Sequence, residues 1–215
     1  MSTVLITGAN RGIGLEMAKL YAGRGDTVLA CCRNPGAATT LAEVAGNVEI
    51  LPTDVSDASS VAALAEALEG RAVDIVINNA GIMGPPPAKQ SVQEMDFDGW
   101  AETFEVNSMA PVRIMQALMA NLRASSDAKL VTITSQMGAL SLDMPMAYAY
   151  CASKAALNKF MKMAAQELGR EGINVCVIHP GWVQTDMGGA GADITPAQTS
   201  RLRRAPKVSS KPSTA

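Results

Sequence analysis

Six short apolar runs, each followed by a stretch with helical spacing, constrain this chain more than any other feature. The runs fall at residues 4–7, 27–31, 48–51, 73–78, 130–134 and 175–179. Most are continuous aliphatic or β-branched segments, without the polar alternation of a strand that has one wet face. Strands buried on both faces read this way. Helical patterns occupy 13–22, 58–68, 97–122 and 147–168, with Asp57 or Ser56 placed to cap the second. Parallel strands need crossovers long enough to hold a helix, so this alternation predicts an α/β fold: a doubly wound parallel sheet covered by helices.

The chain has 215 residues, 48% of them apolar, enough for one domain with a sizeable core. No internal repeat and no linker interrupts it before about residue 190. After Asp193 no acidic residue occurs, whereas Arg201, Arg203, Arg204, Lys207 and Lys211 do. The expected division is therefore a domain at 1–193 and a basic, Pro/Ser-rich tail at 194–215. No aromatic residues are interleaved with those charges, so a solvated tail is expected rather than a nucleic-acid contact. A net charge of −2 gives no support for a polyanionic partner either. No run is long enough to span a membrane, and Val4-Leu5-Ile6 is too short for a signal peptide. Cys31, Cys32, Cys151 and Cys176 form no zinc-like spacing and no disulfide framework. No metal site and a cytoplasmic location are the expectations.

Two features carry chemistry. The first is Thr7-Gly8-Ala9-Asn10-Arg11-Gly12-Ile13-Gly14, between the first strand and the first helix. Glycine lets the backbone turn tightly and approach a ligand, and the helix N-terminus offers free N–H groups to phosphate. A tight turn without a ligand would need the same residues. Its place directly after a buried N-terminal strand favours a dinucleotide. The second is Tyr150 and Lys154, four apart on one helix face. A nearby ammonium favours the phenolate, which suits a tyrosine to acid–base work near neutral pH. Tyr148 has Ala152 four residues on and so lacks a lysine partner. Cys151 has no histidine near it in sequence and reads as packing. His179, the sole histidine, ends a strand beside Pro180, where a structural place is expected.

In order along the chain come the glycine loop, Asn78-Asn79-Ala80-Gly81, Asn107, Ser135, Tyr150 with Lys154, and Pro180-Gly181. This series resembles the short-chain dehydrogenase/reductases of the classical type over residues 3 to about 190. Cys32-Arg33-Asn34-Pro35, Ala152-Ser153-Lys154-Ala155-Ala156-Leu157-Asn158 and the run from His179 to Gly189 are similar to the C-factor and sniffer-like carbonyl reductases. The resemblance implies a Rossmann-type sheet and a nicotinamide cofactor held by Gly8, Asn10, Arg11, Gly12, Ile13 and Gly14. It also implies contacts from Arg33, Asp54, Val55, Asn79, Ala80, Gly81, Pro180, Gly181, Val183 and Thr185. Tyr150 would be the proton donor, Ser135 would hold the carbonyl oxygen, and Lys154 would also bond the nicotinamide ribose. Asn107 would position a water leading to Lys154. Asn78 and Gly81 would border the adenosine ribose, Asp54 is equally suited to an ordinary loop role, and Asn79 to bonding a neighbouring strand. Gln136 and Ser141 are weaker substitutes for Ser135.

The second run ends Cys31-Cys32-Arg33, without the acidic residue that bonds both ribose hydroxyls of NAD. Arg33 and Arg11 suit a 2′-phosphate, so NADP(H) is expected over NAD(H). The expected activity is hydride transfer between nicotinamide and a small carbonyl or alcohol substrate. Met137, Met144, Met146 and Met187 lie where an apolar substrate would be met, or simply fill core. A homodimer through 97–122 and 147–168 is the assembly left open. The usual seventh strand has no counterpart in the sequence pattern. A cofactor-binding signalling or scaffold protein with little turnover is the alternative reading, and the chain is short for a sugar-nucleotide epimerase or dehydratase.

Overall fold

In the computed structural model, which describes residues 1–143 and 145–199, all six expected strands form. They are β1 (Thr3–Thr7), β2 (Thr27–Cys32), β3 (Val48–Pro52), β4 (Ile75–Asn78), β5 (Lys129–Ile133) and β6 (Asn174–Ile178). All pair in parallel in the order β3-β2-β1-β4-β5-β6. The chain starts in the middle of the sheet, moves outward to β3, then crosses back to β4. The strand order therefore reverses between β1 and β4, which opens a crevice at their C-terminal ends.

Successive side chains of a strand point to opposite faces, and each face builds its own core. Leu5, Leu29, Val76 and Leu130 pack on one side with Val61 and Leu64 of α3 (Ala58–Ala67), Ile114 of α5 (Ala110–Ala117), and Leu157 and Met161 of α7 (Tyr148–Leu168). Val4, Ile6, Val28 and Ala30 pack on the other with Leu15 and Ala18 of α1 (Gly12–Gly23) and Leu41 of the short α2 (Thr39–Ala42). Burying each Leu or Ile in these layers contributes about 1.5–3 kcal/mol. This is the doubly wound, Rossmann-type architecture expected from the alternating pattern.

The single helix expected over 97–122 is broken. It runs as α4 (Phe97–Phe104), a π-helical turn (Glu105–Met109), α5, and α6 (Met119–Arg123). The amide of Ala110 bonds Glu105 O, five residues back. Pro111 has no N–H to offer Asn107 O, so the α pattern cannot pass through this point unbroken. Strand β4 begins at Ile75 rather than 73, because the amide of Val73 donates to Asn121 O at 3.1 Å, outside the sheet.

Strand β6 is an edge of the sheet among the described residues, with Cys176 and Val177 exposed. Beyond it Ile194 pairs with Val183, α8 (Pro196–Thr199) follows, and Thr199 Oγ1 donates to Pro180 O at 3.3 Å. The chain is thus packed for several residues past the expected 193/194 boundary. Residues 200–215, which hold most of the expected basic tail, lie outside the described residues, as does Met144. No described helix is long and apolar enough to cross a membrane, and no described cluster could hold a metal ion.

Candidate active site

The crevice between β1 and β4 is lined from below by the glycine loop. Gly8 has φ +66°, and a Cβ on Gly14 would lie 2.3 Å from Gly8 O and 2.6 Å from Asn79 Nδ2, so only glycine fits. Helix α1 starts at Gly12 with no side-chain cap from Arg11. Its first-turn N–H groups are left for an anion, with the helix dipole in support. This open helix end beneath a close-packed turn fits the diphosphate of a dinucleotide. Asn79 braces the turn: Nδ2 donates to Thr7 O at 2.9 Å and Gly8 O at 3.2 Å, while the amides of Asn79 and Ala80 donate to Thr7 Oγ1 at 3.0 and 3.1 Å. Asn79 is therefore bonded to the neighbouring strand. Asn78 is buried, and its Nδ2 donates to Pro111 O at 3.2 Å.

Thr185 Cγ2 lies 3.2 Å from where a Gly12 side chain would begin. Arg11 pairs with Asp186 at 2.8 Å, both exposed. Asn10 and Arg33 are exposed, Arg33 one residue past β2. Asp54 closes a turn by accepting from the Ser56 amide at 3.0 Å and the Ser56 hydroxyl at 2.6 Å. Val55 O accepts from Arg113 Nη1 at 3.0 Å. Asp57, not Ser56, caps α3 by accepting from the Ser59 amide at 2.9 Å.

Tyr150 and Lys154 occupy the first two turns of α7, and both are buried. Burial pushes the Tyr150 phenol up, and a hydrogen bond from Ser135 draws it partly back. The lysine expected to lower it is itself perturbed: burial drops the Lys154 ammonium from 10.5 to about 8. Its Nζ lies 5.7 Å from the Tyr150 ring centroid and donates to Ile133 O at 3.1 Å. Nζ lies close to the segment after β4, where a Cβ on Gly81 would be 3.6 Å from it. Ser135 ends the turn after β5, and the Met137 amide donates to its hydroxyl at 3.2 Å. Gln136 and Ser141, the weaker substitutes, are exposed, as is Tyr148.

Asn107 sits in the π turn with its carboxamide committed. Nδ2 donates to Ile82 O at 2.8 Å and Ser153 Oγ at 3.0 Å, and Oδ1 accepts from the Ile82 amide at 2.9 Å. Three further residues shape the site without having been singled out in the sequence for a role. Asn158 accepts from Thr134 Oγ1 at 2.6 Å and donates to Gly138 O at 3.3 Å, gripping both sides of Ser135. Gly138 lies on α7 itself: a Cβ there would be 2.7 Å from Lys154 C and 2.9 Å from Ala155 N. Buried Gln90 accepts from the Ala149 amide at 3.1 Å. Asn158 appears within the quoted run after Lys154; the other two carry no local signal.

A doubly wound sheet with this glycine turn at its switch point, and a buried Tyr/Lys pair across it, defines a dinucleotide-binding oxidoreductase architecture. The short chain dehydrogenase family matches residues 2–193, and the chain belongs to that family. It is 40% identical over 123 residues to the C-signal protein of Myxococcus xanthus, covering 57% of this chain and 72% of that one. A carbonyl reductase from chicken fatty liver, solved with NADPH bound, superposes with a TM-score of 0.83 at 32% identity, covering 93% of this chain and 88% of the other. The carbonyl reductase Sniffer of D. melanogaster superposes with a TM-score of 0.85 at 27% identity, again covering 93% and 88%.

Proposed function

We propose that this oxidoreductase transfers a hydride between NADP(H) and a carbonyl or alcohol substrate, with Tyr150 as general acid in reduction and general base in the reverse direction. The observation that carries the reading is the pairing of a buried tyrosine with a buried lysine at the mouth of the β1/β4 crevice. Bound there, the nicotinamide supplies the hydride. The chain supplies the rest. Tyr150, held neutral by burial, is a proton donor at neutral pH. Ser135, whose single O–H bonds Tyr150 in the absence of substrate, turns to donate to the substrate oxygen. Lys154, with Ile133 O as its one acceptor among the described residues, has donors to spare for ribose hydroxyls, and its charge offsets the developing phenolate. Asn107 Oδ1, which accepts one bond from the Ile82 amide, keeps a lone pair for a water relay toward Lys154.

Arg11 and Arg33 support the 2′-phosphate and hence NADP(H), and the NADPH in the chicken carbonyl reductase points the same way. The exposed apolar side chains of Leu140, Leu142, Met146 and Met187 flank Ser135, Tyr150 and Thr185 in sequence, which supports an apolar carbonyl substrate in an open cleft. The proposal also takes residues 1–193 as the catalytic domain, a cytoplasmic location, and a homodimer through the face that exposes Phe97, Met109, Phe160 and Met163. The test is NADPH oxidation against aldehydes, ketones and quinones, with NADH as control. Turnover with NADPH favoured is the expected result; no turnover together with no NADPH binding overturns it. The likeness to C-signal favours one second reading, a cofactor-binding signalling protein, and NADPH binding without turnover of any panel member would select it.

A further inference from the structure

Helix α7 begins in a way that a helix cannot sustain alone. Its N-cap position is Ala147, with φ 48° and ψ 50°, and no side-chain cap is made. A capping residue adopts extended backbone so that its side-chain oxygen can reach the amides of the first turn. A left-handed alanine has neither the geometry nor the oxygen. The first-turn amides of the catalytic helix therefore need a partner from elsewhere in the chain.

Gln90, 59 residues away, provides it. Its Oε1 accepts from the Ala149 amide at 3.1 Å, one residue before Tyr150. Its Nε2 donates to Pro85 O and, at 3.4 Å, to Met83 O. The side chain is 4% exposed, and Pro85 is buried with it. Only a carboxamide offers an acceptor and two donors in this arrangement. The same loop is held one residue earlier by Asn107, which pairs with both the amide and the carbonyl of Ile82. The segment that follows Asn79-Ala80-Gly81 is thus clamped by two buried amides, one on the π turn and one bonded directly to the catalytic helix.

We propose that Gln90 is a positioning residue for proton transfer: it caps the helix that carries Tyr150 and Lys154 and ties its start to the loop at Met83–Pro85. It sets where the phenol sits relative to the crevice without touching substrate. A displacement of about 1 Å at a reacting group can cost around a hundredfold in rate. Loss of a first-turn cap costs roughly 1 kcal/mol, about fivefold in local opening. Gln90→Leu removes both functions at similar volume. Gln90→Glu keeps the acceptor for Ala149, aided by the helix dipole, and turns the donors to the loop into repulsion.

This inference rests on the reductase reading, so the test has one arm with turnover and one without. With turnover, Gln90→Leu should lower kcat for NADPH-dependent reduction roughly ten- to hundredfold, leave KM for NADPH within about twofold, and shift the pH profile. Gln90→Glu should regain part of kcat while KM for the carbonyl rises. Without turnover, exchange of the Ala149 amide should be about fivefold faster in Gln90→Leu than in wild type. The near-ultraviolet titration of Tyr150, isolated by subtracting Tyr150→Phe, should also move. Wild-type inactivity alongside these two shifts sinks the reductase reading and keeps Gln90 as the cap. Unchanged exchange and titration overturn the proposal, whatever the activity. A parallel fall of kcat and NADPH affinity with no change of pH profile also overturns it, as a general structural effect. If Gln90→Leu does not fold, Gln90→Glu decides by the same readouts.

Discussion

Lys154→Met should make the protein more stable while removing its activity. Burial lowers the Lys154 ammonium from 10.5 to about 8, and Ile133 O is its one hydrogen-bond partner among the described residues. A drop of that size means the folded state carries about 3 kcal/mol of unfavourable charge burial at pH 7. Methionine fills the channel without the charge, but it gives up the bond to Ile133 O, which takes back about 1 kcal/mol. The net gain is roughly 2 kcal/mol, or a rise of about 4–8 °C in Tm for a chain of this size. Between pH 8 and 10.5 the unfolded chain holds a proton at this position that the folded chain has released. Wild-type stability therefore rises with pH across that window relative to the variant; the gap of roughly 2 kcal/mol closes near pH 9.5, and by about pH 10.5 the wild type is ahead by about 1 kcal/mol. Thermal unfolding without cofactor at pH 7, 8.5 and 10 reads the effect. A variant that is less stable at pH 7, or a gap that does not change with pH, would refute the claim that Lys154 is a suppressed buried charge.

Tyr150→Phe should reduce turnover by about 10²–10⁴-fold while NADPH still binds, as read by fluorescence titration beside steady-state rates. Arg11→Ala should weaken NADPH about tenfold or more and leave NADH nearly unchanged, because only the former offers a 2′-phosphate to the guanidinium. Asp186→Asn should act oppositely, tightening NADPH by up to about fivefold, since it removes the carboxylate that holds Arg11 at 2.8 Å; high salt should erase the difference. Gly138→Ala sets a methyl 2.7 Å from Lys154 C, which is helix backbone and cannot step aside, so a loss of about 1–3 kcal/mol is expected in a denaturant midpoint, with a fall in kcat.

What could be read from the sequence was what is local. The strands showed themselves because a buried parallel strand is apolar at consecutive positions, as at Val4-Leu5-Ile6 and Val28-Leu29-Ala30. The glycine turn and the Tyr150–Lys154 pair were legible because their geometry depends on spacing of eight residues or fewer. The break inside 97–122 could have been suspected from Pro111, yet the apolar period continues across it and hides the π turn. The clamp on Asn107, the grip of Asn158 on Thr134 and Gly138, and the pairing of Arg11 with Asp186 across 175 residues join distant parts of the chain. No window of sequence contains both partners. Burial is hidden from sequence for a related reason: spacing puts a charge near a phenol but says nothing of how deeply both are buried, and here burial is the largest cause acting on each.

The first two turns of α7 gather the features a fold tolerates least. They follow an alanine in left-handed backbone and hold a helix start with no cap from its own N-cap side chain, a buried ammonium and a buried phenol. Apolar packing cannot hold such a segment in register, because sliding a methyl group costs little, whereas leaving a buried polar group without its partner costs about 1–3 kcal/mol. The anchors found there are all polar, and all but Asn158, which lies on α7 itself, come from other elements. Gln90 takes the Ala149 amide, Asn107 takes Ser153 Oγ, Ser108 Oγ donates to Ser153 O at 2.8 Å, and Asn158 fixes the Ser135 turn to the helix. Ser153 Oγ in turn donates to Tyr150 O at 2.7 Å, so the anchor on Asn107 reaches the backbone of the tyrosine itself. Strain at the reacting groups and polar clamps around them are two sides of one arrangement. The same reasoning explains why Lys154→Met gains stability and loses function, while a substitution at Gln90 puts both at risk.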